Sequence, residues 1–292
     1  MAVSSSRAST SPARVLPPLP PPRHHTSPAA GFWGIRQPIS WWTSAALITC
    51  ALIGPLACWS LLSYGGFVPS LFLPTPTQVG HAAQIMLIEN GYLADIAASL
   101  FRVGAGFAIA ALLSLPLGIA MGTFRGMESL ITPIVGTVRY MPVAAFIPLV
   151  ILWVGLGEAA KITIIFMGIF FYNVIMIADA VKFIPEEMLN VSYTMGASRK
   201  DVLLRVILPA ISPNIIDTFR VNIAGAWNYL VISELIAAES GLGYRILKAQ
   251  RFLKTDEIFV GIITIGTIGL MLDISFKLLS HWLLPWAKYS RS

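Results

Sequence analysis

Charge is scarce in this sequence. Asp, Glu, Lys and Arg make up 12% of its 292 residues, about half of what soluble domains carry. Cysteine is nearly absent: Cys50 and Cys58 both fall in the first apolar run, so no disulfide framework or zinc site is implied, and the redox compartment cannot be read from them. The four histidines, His24, His25, His81 and His281, are dispersed. No His/carboxylate cluster sits at membrane depth, which argues against a proton relay or a metal enzyme. The chain has no G-x-x-x-x-G-K-[ST] phosphate loop, so it cannot cradle ATP by that mechanism. Acidic residues are missing altogether from residues 1–41, which hold eight prolines, seven serines and four arginines.

What remains is apolar: 56% of residues are hydrophobic, and mean hydropathy is +0.74. Several apolar runs reach the roughly 20 residues that cross a bilayer as helix. They are continuous rather than alternating, which excludes a β-barrel. The fold class is therefore all-α, a polytopic membrane protein. The net charge of +6 invites a nucleic-acid reading, but in a membrane protein excess Lys and Arg mostly mark the loops held in the cytoplasm. No nucleic-acid partner is expected; membrane lipid is.

Residues 1–41 cannot bury enough apolar surface to offset their ordering entropy and read as a disordered cytoplasmic tail. A targeting peptide is the other reading of an Arg- and Ser-rich, acid-free segment. Six spans are expected near 42–64, 97–122, 130–153, 162–181, 212–237 and 258–285. The first span and an external segment occupy 42–96, the core transmembrane domain 97–285, and a C-terminal tail 286–292. In the external segment, Leu73 to Thr77 (L-P-T-P-T) is extended or turn-like, and residues 78–94 form a short helical approach to span two. With the N-terminus inside, eleven Lys and Arg lie on the inner side and five on the outer, which places both termini in the cytoplasm.

A charged island interrupts the apolar chain between residues 182 and 210 and faces the cytoplasm in this topology. Pro185 opens a helix whose first turn carries Glu186 and Glu187, acids that suit a helix N-terminus. Gly196 permits a sharp change of direction. Ser198 caps a second short helix, Arg199 to Ile207, with Asp201 as its N3 acid, and Pro209 ends it. The result is two amphipathic helices meeting at Gly196-Ala197-Ser198, a handle for another protein.

From Gly196 through nine residues to Val206-x-Leu208-Pro209, the island resembles the signature loop of permease subunits in bacterial ATP-binding-cassette importers, usually written E-A-A-x-x-x-G-x9-I-x-L-P. It departs at the start, with Asn190-Val191-Ser192 in place of Glu-Ala-Ala. Further segments are similar to the nitrate/sulfonate/taurine/bicarbonate branch of that family: Leu73-Pro74-x-Pro76, Ser99-Leu100-x-Arg102-x-x-x-Gly106-Phe107, Pro116-Leu117-Gly118, Ile147-Pro148-Leu149, Trp153-x-Gly155-x-Gly157-Glu158 and Leu270-x-Leu272-Asp273. Ser240-Gly241-Leu242-Gly243-Tyr244, followed by Ala249 to Asp256, looks more like sulfonate and taurine permeases than nitrate ones. The resemblance covers roughly residues 70–285.

It implies a type I importer permease (MetI-like) fold in the bacterial inner membrane. It further implies a second permease subunit as homodimer or pseudo-dimer, cytosolic ATPase subunits that hold ATP and magnesium, and an extracytoplasmic binding protein that delivers substrate. The cargo would be a small anion, an aliphatic sulfonate or taurine ahead of nitrate or bicarbonate. No cofactor and no catalytic residue is expected in the chain itself. Contact with the ATPase falls to Glu187, Gly196, Ala197, Ser198, Arg199, Leu208 and Pro209.

For the translocation path, polar residues within spans are the candidates, because they turn from lipid toward protein or water. In span five, Asp217, Arg220, Ala224, Trp227, Asn228, Val231 and Glu234 fall on one stripe roughly 120° wide. Trp227 and Asn228 lie nearest the membrane centre and line either the route or a helix contact; Asp217 and Arg220 read as an i,i+3 pair. In span three, Pro142 kinks the helix after Arg139-Tyr140-Met141. Arg139 either meets a passing anion or snorkels to the surface. Tyr172 and Asn173 add a polar patch in span four. Gly118, Gly122 and Gly126 mark close helix packing, and Asp273 with Lys277 forms an i,i+4 pair. Two rival functions are a stand-alone secondary anion transporter, which needs a midplane ion site that is not evident, and an intramembrane serine hydrolase at Ser198, for which no histidine is at hand.

Overall fold

The computed structural model describes residues 39–286; the tail read as disordered lies almost wholly outside the described residues, as does most of the C-terminal tail. The chain falls into two compact units, one ending at Cys58 and the other beginning at Trp59. Helix α1 (Trp41–Tyr64) carries almost nothing but apolar and small residues, and none of its described residues is buried. A helix that is apolar all round and not buried in protein meets lipid.

In the second unit, Thr75 starts helix α2 (Pro76–Ile88) with a capping box. The Gln78 amide donates to the Thr75 hydroxyl at 3.3 Å, and the Thr75 amide donates to Gln78 Oε1 at 2.8 Å. The extended L-P-T-P-T segment thus delivers the chain to a helix with Pro76 in its first turn. The long helices follow: α3 (Tyr92–Thr123), then α4 (Arg125–Val138), α5 (Val143–Val154) and α6 (Glu158–Lys182). Next come the short α7 (Glu186–Thr194) and α8 (Arg199–Asp201), a π-helical turn (Val202–Ile207), α9 (Leu208–Ala237), α10 (Leu242–Arg251) and α11 (Thr255–Leu283). Helices α3, α6, α9 and α11 begin three to five residues before the expected spans. The first turns of α3, α6 and α11 hold Asp95, Glu158 and the pair Asp256 and Glu257. Acids there suit the helix dipole but hide the start from a hydropathy reading.

Helices α3 and α6 lie side by side at close range. A Cβ on Gly106 would stand 2.8 Å from Ile165, one on Gly118 2.8 Å from Ile177, and one on Gly122 2.6 Å from Val181. Ala110 and Ser114, between them, are fully buried. Gly126, expected in this series, belongs to α4 and has nothing within 4 Å, so the series runs through Gly106 instead. Gly122→Leu is expected to destabilise the fold by about 1–3 kcal/mol through overpacking. Gly126→Leu should be nearly silent; thermal unfolding in detergent checks both.

The expected third span is not one kinked helix. Helices α4 and α5 meet at 99°, with the break at residues 139–142. Pro142 stands at the N-cap of α5, where its missing N–H breaks the ladder rather than bending it. Among the described residues, five helices, or six spans if this bent pair counts as one, are long and apolar enough to cross a membrane. Pro209 is a second correction, because the helix runs through it into α9. The π-helical turn explains this: the Leu208 N–H reaches back five residues to the Leu203 carbonyl. The widened turn hands over directly to a residue with no N–H to place.

Candidate functional site

The Gly196 corner is built from two caps with one residue between them. Helix α7 starts after Pro185, here at the N-cap, with Glu186 and Glu187 in its first turn. It ends in a Schellman motif: the Gly196 N–H donates to Tyr193 O at 2.9 Å and the Ala197 N–H to Ser192 O at 3.1 Å. Gly196 takes φ +86°, a conformation that a Cβ penalises. Ser198 then caps α8. Its hydroxyl accepts from the Asp201 N–H at 3.2 Å, while Asp201 Oδ2 accepts from the Ser198 amide at 3.3 Å. The chain therefore reverses at a fixed angle. Ala197 and Leu208 pack inward on the cluster formed by Ile177, Val181, Val202 and Ile207. Ser198, Arg199 and Pro209 stay exposed, as do Met188, Val191, Tyr193 and Met195, the last at 83%.

A second feature is a cavity of about 310 Å3 at the α4–α5 break. Four residues expected on a path, Arg139, Met141, Pro142 and Tyr172, line it together with Tyr140, Met167 and Tyr229. The Arg139 guanidinium lies 4.7 Å from the Tyr140 ring centre and donates to the Tyr140 hydroxyl at 2.8 Å. Tyr172 donates to the Arg139 carbonyl at 3.3 Å. The other four candidates lie elsewhere. Asn173 is fully buried and accepts from Asn222 at 2.6 Å. Trp227 is buried in the main core, and Asn228 is exposed on α9. The span-five stripe therefore divides, and α9 faces the cavity with Tyr229 and Ile232 instead.

Glu234 belongs to a third feature, a buried ion network that sequence reasoning did not assemble. Arg102 on α3 is 1% exposed and spends all five N–H donors. Nε and Nη2 hold both oxygens of Glu158 at 2.6 and 2.7 Å. Nη1 meets Glu234 Oε1 at 2.6 Å and the Ser240 carbonyl at 2.7 Å, and Nη2 also reaches the Ser240 hydroxyl at 3.0 Å. Glu234, 0% exposed, further accepts from Ser99 at 2.8 Å and from the Gly243 N–H at 2.7 Å. Lys161 donates to Glu158 at 2.9 Å. Beside them Asp95 accepts from the Gly241 N–H at 2.7 Å and pairs with Arg245. Three cations thus meet three carboxylates.

Gly241, at φ +113°, fits against this network only as glycine. A Cβ there would stand 2.3 Å from Glu234 Oε1 and 2.5 Å from Arg102 Nη1. The signal was present in the sequence: charges inside apolar helices turn inward and pair. Arg102 and Glu234 were visible there as such charges, without assigned partners, whereas Glu158 fell between two expected spans and joins the network because α6 starts there. Near the other end of α9, Arg220 meets Asp217 at 3.5 Å, as the spacing suggests, and also Asp273 of α11 at 3.1 Å. Lys277 and Asp273 pair at 2.6 Å.

Residues 114–289 match the model of the family described as binding-protein-dependent transport system inner membrane component. A probable ABC transporter permease protein of Brucella melitensis biotype 1 is 37% identical over 228 residues, 78% of this chain and 92% of the relative. The taurine transport system permease protein TauC of Escherichia coli K12 is 33% identical over 256 residues, 86% of this chain and 92% of that one. A putative aliphatic sulfonates transport permease protein, SsuC of Bacillus subtilis, is 31% identical over 245 residues, 84% and 88% of the two chains. Among solved structures, an inward-facing MetNI methionine ABC transporter superposes with a TM-score of 0.58 at 16% identity, covering 65% of this chain and 94% of that one; this confirms the fold. The stand-alone secondary transporter weighed from sequence is overturned by these matches, and the family they show is a transport subunit that is not itself an enzyme, which leaves the intramembrane hydrolase without support. The chain belongs to the binding-protein-dependent transport system inner membrane component family and is a multi-pass permease subunit of an ABC transporter.

Proposed function

We propose that this permease forms the membrane path of an ATP-driven importer for small organic sulfonates. Two copies form a homodimer, both termini lie in the cytoplasm, and an extracytoplasmic binding protein delivers the cargo. ATP and magnesium are held by partner ATPase subunits that grip each copy at the Gly196 corner. The observation that carries this reading is the corner itself. Met188, Val191, Tyr193 and Met195 are exposed around a doubly capped reversal, and apolar side chains at a water-facing loop call for a protein partner. Rigid caps let closure of the ATPase pair move α6 and α9 as one body. The eleven Lys and Arg of the inner tails and loops against five outside support this orientation.

The sulfonate assignment is supported by relatives named for taurine and aliphatic sulfonate transport. A relative named for bicarbonate transport, the permease CmpB of Synechococcus elongatus, is 27% identical. The test is ATP hydrolysis by the reconstituted complex with its binding protein. Taurine and alkanesulfonates are expected to stimulate it, and nitrate and bicarbonate to leave it at the basal rate. Stimulation by nitrate alone would move the chain to the inorganic-anion side of the branch.

A further inference from the structure

The cavity at the α4–α5 break has a chemistry more specific than that of a passage. Its one cationic lining residue is Arg139, and none of its described lining residues is acidic. The Arg139 Nε is buried and has no hydrogen-bond partner among the described residues. A buried charged donor left unmatched is costly, unless a ligand completes it. The start of α5 borders the same space through Val143 and Ala144, and no side chain caps it. Helix N-termini at breaks in membrane helices favour anionic groups. Met141 and Met167, adaptable apolar side chains, line the same space. The volume of about 310 Å3 is at the lower end of the roughly 300–1,000 Å3 range of ligand pockets.

We propose that this cavity is a binding site for an unsubstituted alkanesulfonate, its head between Arg139 and the start of α5 and its chain against Met141 and Met167. The inference rests on the importer reading above and narrows its cargo. Nitrate and bicarbonate can meet the cation but have no apolar body to bury. Taurine adds an ammonium for which the described lining holds no carboxylate, so its amine must be desolvated without an ion partner. Alkanesulfonates satisfy both ends.

The test uses the permease–ATPase complex in nanodiscs without the binding protein, so that delivery does not mask affinity. Methane-, propane- and butanesulfonate, taurine and nitrate are titrated by calorimetry. Affinity is expected to rise about fourfold per added methylene, with butanesulfonate above taurine and nitrate weakest. Arg139→Gln should weaken every sulfonate by roughly tenfold or more, with Arg139→Lys between it and wild type. Met167→Asn should flatten the chain-length dependence, a change that general unfolding does not produce. Equal binding by wild type and Arg139→Gln, no sulfonate binding by wild type, or taurine above butanesulfonate overturns the site. If the complete wild-type system hydrolyses ATP in response to anions while the site fails, the importer reading stands alone. If no anion stimulates hydrolysis, that reading fails first.

Discussion

Arg102→Met is expected to destabilise the permease by about 3–5 kcal/mol, the largest effect of any single substitution considered. Methionine can fill much of the space but leaves Glu234, 0% exposed, as a charge whose remaining partners are the Ser99 hydroxyl and the Gly243 N–H. It also releases Ser240 and takes a partner from each oxygen of Glu158, which keeps Lys161. Because Arg102 is on α3, Glu158 on α6, Glu234 on α9 and Ser240 just before α10, the loss loosens four helices at once. Removing both members of a buried pair spares the uncompensated charge, so Arg102→Met with Glu234→Met should recover part of the loss. Glu158→Gln should cost less, since that side chain is 49% exposed and water can replace its partner. Thermal unfolding in detergent separates the three. A single Arg102→Met variant that melts with wild type would show that the network does not hold this end together.

Gly196→Pro should abolish coupling while the spans stay inserted. Proline fixes φ near −65°, and Gly196 sits at +86°. The substitution also removes the N–H that donates to Tyr193. Both halves of the Schellman cap are lost at the point where α7 turns toward α8. Uptake into proteoliposomes should fall at least tenfold, and stimulation of ATP hydrolysis by the loaded binding protein should disappear, because the ATPase no longer moves a rigid lever. Ser198→Trp, which removes the cap at α8 and adds bulk at an exposed position, should act alike. Normal stimulation in both variants would remove the corner from the transmission route.

Much of this architecture was legible in the sequence because local physics and the bilayer point the same way. Apolar runs gave the spans, and the Ser198–Asp201 spacing gave the capping box. Gly196 marked a sharp change of direction, which the chain makes at φ +86°. Arg139, Met141, Pro142 and Tyr172 meet at one cavity, at the proline where the sequence pointed to a kink and the structure makes a 99° break. The remainder was hidden for definite reasons. Pro209 ends nothing, since the π-helical turn before it depends on backbone bonding that no residue type advertises. Asn173 and Glu234 are polar for neighbours on other helices, Trp227 packs in the apolar core, and helical period alone cannot say which side of α9 meets which partner. The Arg102 network joins residues more than 130 positions apart, as in the Arg102–Glu234 bond, and only the packed fold reveals that pairing.

The most direct test of the central claim is uptake by purified permease in proteoliposomes, with and without its ATPase subunits, supplied with ATP, binding protein and labelled alkanesulfonate. Accumulation that appears only when the ATPase and ATP are both present is the predicted result. Substrate-saturable accumulation by the permease alone, driven by an ion gradient, would contradict it.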